Sequence, residues 1–397
     1  MRSPTLDSKP SLTAKVAWLI GFFAFLNVYP IQTVLPLIQD EMNISKTATG
    51  LLVGITLFAV ALLSPFIGFI SDRLGRKGII CTSLVGIALP TLLIPLSSHF
   101  YDLLLLRFIQ GVFLPGIIVV SMAYMAEEVS FTYIAKTTTV YVSGSICGGF
   151  FGRIIVGYTA ALTDEWRTGF FILALLSAIG ITLIIKLAPS SRNFLPSANM
   201  RQGLLCLKEH LKNAKLISGC VVGFCSLFSI TSGFTYVSYL LHEAPFNLST
   251  SVIANIFAIY LVGELVTSLS GRIIDTLGKQ LTVLIATAVS AIGVCLTLIP
   301  SFPFVIVGMA GLAIGAFICQ ATVIAFIATH IKSGRSLATG LYNLSYYGGG
   351  AAGTWLSGIA NEYYHWPGTV VTILSILAFS AATALRFWGN EQAEDAL

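Results

Sequence analysis

Charged residues are scarce in this chain. Of its 397 residues only 10% are Asp, Glu, Lys or Arg, against about 25% in soluble domains, and that shortfall excludes an ordinary water-exposed surface. Cysteine is sparse as well. Cys81, Cys147, Cys206, Cys220, Cys225, Cys295 and Cys319 are odd in number, lie within apolar runs or the central loop, and show no CxxC spacing, a pattern that indicates neither a disulfide framework nor a zinc site. The five histidines (His99, His210, His242, His330 and His365) are scattered over loop ends, and no HExxH, GxSxG or GxxxxGK[ST] segment occurs. We therefore expect no enzyme, no metal, no cofactor and no ATP-driven pump. The net charge of +5 is divided among short loops and not gathered on one basic face, which argues against a nucleic-acid partner. Met1 to Lys15 is polar, with no apolar stretch ahead of a small-residue cleavage site, so no cleaved signal peptide is expected.

What is abundant is apolar length. Hydrophobic residues make up 56% of the chain and the mean hydropathy is +0.88. Crossing ~30 Å of hydrocarbon takes ~20 apolar residues at 1.5 Å each, and runs of that kind start near residues 16, 47, 79, 103, 136, 168, 215, 251, 281, 304, 336 and 367. The fold class implied is an all-α membrane protein of twelve transmembrane helices in the lipid bilayer. One long polar connection, Pro189 to Ala214, separates the sixth and seventh runs. It divides the chain into an N-terminal half (1–188), a linker (189–214) and a C-terminal half (215–397), and residues 203–216 have the pattern of a short helix lying on the membrane surface. Outside the spans, every Lys and Arg except Lys46 and Arg167 falls on the side of the termini, so the positive-inside rule places both termini in the cytoplasm.

The chain also contains itself twice. Gly68-Phe-Ile-Ser-Asp72-Arg73-Leu-Gly75-Arg76-Lys77 recurs 203 positions later as Gly271-Arg-Ile-Ile-Asp275-Thr-Leu-Gly278-Lys279, and Gly148, Gly149, Gly152 and Gly157 return 201 positions later as Gly349, Gly350, Gly353 and Gly358. Parallel halves of six spans with a binding site at their interface are one large architecture of secondary transporters. The glycines let helices approach closely, either as packing within a half or as a surface on which one half moves against the other.

Three ionisable residues lie inside apolar runs, where an unpaired charge costs ~2.5 to 3.5 kcal/mol even on insertion scales. Glu264 is the carboxylate set deepest. Burial raises a carboxyl pKa, so it is either a proton-coupling site or a structural partner of a neighbouring hydroxyl. Arg107 and Arg153 either snorkel to the outer surface or, for one of them, face a cavity and act on a carboxylate or an anionic solute. Counting residues puts Arg153 about 25 Å from the start of its span, and Glu264 about 10 Å from the inner surface. A direct pair is not expected.

The 68–77 segment resembles the signature loop of the major facilitator superfamily, Gly-x-x-x-Asp-Arg-x-Gly-Arg-Lys, matched at every position. The resemblance spans roughly Val16 to Trp388. It implies a conformational latch made by Gly68, Asp72, Arg73, Gly75 and Arg76 with Glu127 and Glu128 as carboxylate partners, in which the acid faces the start of the eleventh helix. Asp275 is the weaker copy, since Thr276 and Gln280 replace basic residues. The macrodipole and charge-assisted bonding support such a latch; setting topology is the simpler role for the same basic residues. Arg107-Phe-Ile-Gln110-Gly111 is similar to an element of drug:proton antiporters. The Gly-Gly-x-x-Gly-Arg pattern of the fifth span, Trp166-Arg167 and Ser191-Arg192-Asn-Phe resemble bacterial inner-membrane transporters of the arabinose-efflux-permease-like branch.

The resemblance implies a monomeric secondary transporter of a small-molecule solute (drug, sugar or metabolite) in the bacterial inner membrane. It would work by alternating access, with protons as the coupling ion and efflux as the direction. An importer or facilitator of the same fold, and a non-transporting sensor, are the alternatives. The cavity candidates are Asn27, Tyr29, Gln32, Gln110, Tyr236, Gln320, Asn343 and Tyr346, polar groups on the first, fourth, seventh, tenth and eleventh spans.

Overall fold

The computed structural model describes residues 10–129, 131–189, 209–267, 270–331 and 334–389. Every element among these residues is helical, and they assemble into twelve spans in two six-helix halves. Seven spans are single helices: the second (Lys46–Leu74), third (Arg76–Leu93), fifth (Phe131–Thr163), sixth (Arg167–Leu187), seventh (Ala214–His242), ninth (Lys279–Leu296) and tenth (Phe302–His330). The eleventh and twelfth lie within Arg335–Phe387 and part at His365, whose φ of 53° and ψ of −153° are not helical.

The remaining three spans are broken, which the twelve continuous apolar runs did not announce. The first runs as Pro10–Val28, then a tight turn Pro30–Thr33, then Leu35–Met42. Pro30 and Pro36 lack the N–H that would continue the ladder. The fourth breaks between Phe113 and Pro115 for the same reason. The eighth breaks at residues 257–258, between Thr250–Ile256 and Ile259–Thr267, and Ser270–Leu277 is helical as well. The surface helix expected over 203–216 falls largely outside the described residues; within them, 209–212 are helical and Asn213 caps the seventh span by accepting from the Lys215 and Leu216 amides.

The repeat seen in the sequence is a packing repeat. A Cβ at Gly144, Gly148 or Gly152 would run into the carbonyls of Trp18, Phe22 and Leu26, so the fifth span lies backbone to backbone on the first. Gly349 and Gly353 press the eleventh span onto the carbonyls of Phe224 and Phe228 in the seventh in the same way. These glycines rigidify each half. Gly157 and its mate Gly358 instead meet the opposite half, at Ala254 and Thr47, so the glycine set divides between the two roles that its spacing allowed.

The turns joining the second to the third span and the eighth to the ninth hold Gly75 at φ 89° and Gly278 at φ 74°, a region that side chains disfavour. Lys77 donates to the Ile185 and Ala188 carbonyls at the end of the sixth span (3.2 and 2.6 Å), and Gln280, its counterpart 203 positions on, donates to the Ala384 and Leu385 carbonyls at the end of the twelfth (3.1 and 3.3 Å). Both side chains satisfy carbonyls that a helix end leaves open. Lys77→Leu and Gln280→Leu are each expected to lower unfolding stability by about 1 kcal/mol, read from denaturant titration of the purified protein; a Gln280 variant with unchanged stability would show that the capping is specific to the first half.

Candidate functional site at the interface of the halves

Hydrogen bonds and ion pairs that join the two halves through described residues all lie toward the end opposite the 68–77 loop. Lys46 Nζ pairs with Glu243 (2.5 Å), Thr47 donates to Glu362 (2.5 Å), and Thr49 shares a short hydrogen bond with the Tyr239 hydroxyl. On the other flank, Thr250 donates to the Gly157 carbonyl (3.0 Å), and Asn255 donates to the Tyr158 hydroxyl (3.0 Å). Tyr236 is fully buried and donates to the Thr354 carbonyl (2.5 Å), and its ring fits only because Gly50 and Gly358 lack side chains. Toward the loop end, among the described residues, Pro65 of the second span lies against Gly340 of the eleventh.

Deeper in, Gln32 ties three spans together. Its amide donates to Thr235 (3.3 Å), its carbonyl oxygen accepts from Arg153 Nε and Nη2 (3.2 and 2.5 Å), and its backbone carbonyl accepts from Ser238 (2.9 Å). Gln32 and Thr235 are 203 positions apart, the spacing of the repeat, so equivalent positions of the two halves meet each other. The Arg153 guanidinium also lies 4.7 Å from the Tyr29 ring, 4.4 Å from Phe257 and 4.9 Å from Tyr260, distances at which a cation is attracted to a ring face. It sits at the break in the eighth span and does not snorkel: Arg153 is 3% exposed.

Arg107 serves a different purpose. It is fully buried and donates to the carbonyls of Leu52 (2.9 Å), Asn27 (3.4 Å) and Val28 (2.5 Å), and to Gln110 Oε1 (2.6 Å). Gln110 in turn donates to Thr91 (2.8 Å) and the Ile87 carbonyl (3.3 Å). The Arg-x-x-Gln element thus closes the carbonyls where the first span breaks and fastens spans one to four. Arg107 therefore bonds within the first half, whereas Arg153 reaches the interface through Gln32 and Thr235. Asn27 and Gln110 are likewise committed within the first half, Asn27 through Ser177 (2.9 Å) and the Phe23 carbonyl (2.8 Å).

Of the other cavity candidates, Tyr29, Gln32 and Tyr236 reach the interface, and Tyr346 stacks on Tyr342 (5.6 Å between ring centres) and meets Tyr347 edge-on (5.4 Å). Gln320 and Asn343 are half-buried. Glu264 lies on the helix Ile259–Thr267, four residues after Tyr260, about 6 Å along its axis. The side chains of Glu264 and Asp72 lie outside the described ones. In the 68–77 segment, Arg76 is buried, donates twice to Glu127 Oε1 (3.1 and 2.8 Å) and holds Ser71 (2.5 Å). Arg73 and Asp275 are exposed, Glu128 is buried, and nothing stands within 4 Å of an added Cβ at Gly68. Sequence reasoning missed Phe257, Tyr260, Thr235, Ser71 and the seam residues Thr47 and Glu243; of these, Thr235 was reachable through the 203-residue frame.

Two six-helix halves that meet along buried polar groups are the architecture of a membrane transporter. The family model for the Major Facilitator Superfamily matches residues 17–262 and 243–396. An uncharacterized transporter of Buchnera aphidicola subsp. Schizaphis graminum is 30% identical over 92% of this chain and 89% of its own length. The inner membrane transport protein YnfM of Escherichia coli is 26% identical over 92% of this chain and 88% of its own. A bacterial homologue of the human lysosomal transporter Spinster, solved in an inward-facing, unoccupied conformation, superposes with a TM-score of 0.77 at 17% identity, covering 98% of both chains. The chain belongs to the Major Facilitator Superfamily. It is a multi-pass secondary transporter of that type and not an enzyme.

Proposed function

We propose that this transporter exports a small organic solute against its gradient by alternating access, drawing on proton entry, from a bacterial inner membrane with both termini in the cytoplasm. The observation that carries the reading is the one-sided seam. In each half the first and fifth, or the seventh and eleventh, spans pack backbone to backbone, whereas the hydrogen bonds and ion pairs that join the halves through described residues lie toward one end. Exposed ion pairs such as Lys46–Glu243 are worth ~1 kcal/mol or less, so a solute or proton that binds the two states differently has enough free energy to part them. The 68–77 latch belongs to the same cycle, with Asp72 as the acid toward the eleventh helix.

Glu264 is the proton site in this reading. A carboxyl deep in a span is neutral when dry and ionises when water reaches it, so alternating access converts into loading and release. In proteoliposomes, Glu264→Gln is expected to abolish solute accumulation driven by a proton gradient while leaving gradient-free exchange within about twofold. Accumulation by that variant would remove Glu264 from coupling. The opposite direction, proton-coupled import, uses the same parts, because binding linkage is reciprocal; the sign of solute movement under an imposed gradient separates the two.

A further inference from the structure

Arg153 is 97% buried and, as is also true of Arg107, no carboxylate among the described residues lies within ion-pair distance of it. Its partners are neutral: the Gln32 amide oxygen, the Gly149 carbonyl (3.1 Å from Nη1) and three aromatic rings. A guanidinium has five N–H donors. Gln32 takes one from Nε and one from Nη2, and Gly149 takes one from Nη1. One N–H remains on each Nη, the pair of donors that a carboxylate accepts as a fork. Arg107, by contrast, makes four hydrogen bonds and leaves no such fork.

The surroundings are built to keep this group in place and to receive a flat body. Gln32 is itself held by Thr235 from the opposite half, so the guanidinium is oriented by a fixed acceptor. Gly149 leaves space beside it: an added Cβ would meet only Nη1 at 3.5 Å and the Tyr29 ring at 3.8 Å. The Tyr29 and Tyr260 rings flank the cation. A buried charge without a counter-charge is retained where something else supplies one. We infer that Arg153 is the anchor for the carboxylate of a small organic anion with a planar, aromatic body, and that this is the class of solute carried. The inference rests on the transport reading above for the solute's fate, and on the local geometry alone for its binding.

The test uses the purified full-length protein in detergent at constant ionic strength, with benzoate, 3-hydroxybenzoate, benzamide and benzylamine as probes. Both carboxylates are expected to raise the thermal unfolding midpoint, with the amide and the amine inert, and Arg153→Gln is expected to weaken the carboxylate response at least tenfold. Arg153→Gln also removes hydrogen bonds to Gln32 and Gly149 that order the fold, so Gln32→Glu provides a second reading. It places a carboxylate on Arg153 from inside the protein, so it is expected to fold at least as stably as the parent and to lose the response. A Gln32→Glu protein that still responds to benzoate, an amide as effective as the acid, or no carboxylate response in the parent would each overturn the anion site. Transport of a neutral or cationic solute by Arg153→Gln at the parental rate would overturn it too, while leaving the transport reading intact. Carboxylate binding without flux of any solute in liposomes would keep the site and overturn transport.

Discussion

Arg107→Ala is expected to lower unfolding stability by about 3 to 5 kcal/mol, the range found when one member of a buried polar set is removed. Asn27 and Val28 are the last residues before the first span breaks at Tyr29, so their carbonyls have no continuing helical donor, and each one left dry costs ~1–3 kcal/mol. Gln110 Oε1 loses its donor as well. Arg107→Lys keeps the charge but offers a point donor in place of a planar fork, so an intermediate loss is expected. Denaturant or thermal unfolding followed by intrinsic fluorescence measures both variants. Solute affinity in the surviving fraction should be unchanged; a lysine variant as stable as the parent but unable to transport would return Arg107 to the cavity.

The second large effect is expected at Gly157. A Cβ there would stand 2.5 Å from the Ala254 Cβ and 2.9 Å from the Thr250 carbonyl, both on the opposite half, so Gly157→Val cannot close that flank of the seam. We expect a folded protein with transport reduced at least a hundredfold, held open at the end away from the 68–77 loop. Tyr158 and Asn255 face each other across the same flank. A Tyr158→Cys and Asn255→Cys pair, in a background freed of native cysteines, should be bridged by a short bifunctional reagent in the parent and not in the valine variant. Gly148→Val is the contrasting change, because its clash is with the Phe22 carbonyl inside one half; it should reduce folded protein, and efficient bridging in whatever folds. Equal loss of folded protein in both variants would refute the division of the glycines into packing and seam.

Much of the fold was legible because membrane length and duplication leave strong marks. The spans begin where the apolar runs do to within a few residues, except that the first and fifth start earlier, since a helix continues through polar residues once its ladder is formed. The breaks in the first and fourth spans had visible causes in Pro30, Pro36 and Pro115. The break at Phe257 and Ala258 had none, because neither residue lacks a backbone donor or favours a turn. Site residues were harder to read, for a geometric reason. Successive helix positions point about 100° apart, so whether an arginine faces a neighbouring helix or the interface depends on a rotation that one sequence does not specify. Motif resemblance favoured Arg107 and geometry favours Arg153. Asn27 and Gln110 are polar for the same structural ends as Arg107. Phe257 and Tyr260 stayed hidden because aromatic residues in an apolar run look like core until a cation is found between them.

The paired caps at Lys77 and Gln280 give the two halves different sensitivities to their medium. An ammonium on the end of a helix is attracted through charge, and mobile ions weaken that attraction over a Debye length of ~8 Å at physiological salt. A neutral amide making the same bonds is indifferent to ionic strength. The Lys77 cap on the sixth span is therefore expected to weaken as salt rises and the Gln280 cap on the twelfth is not, so a fold built on duplication responds unequally in its two halves.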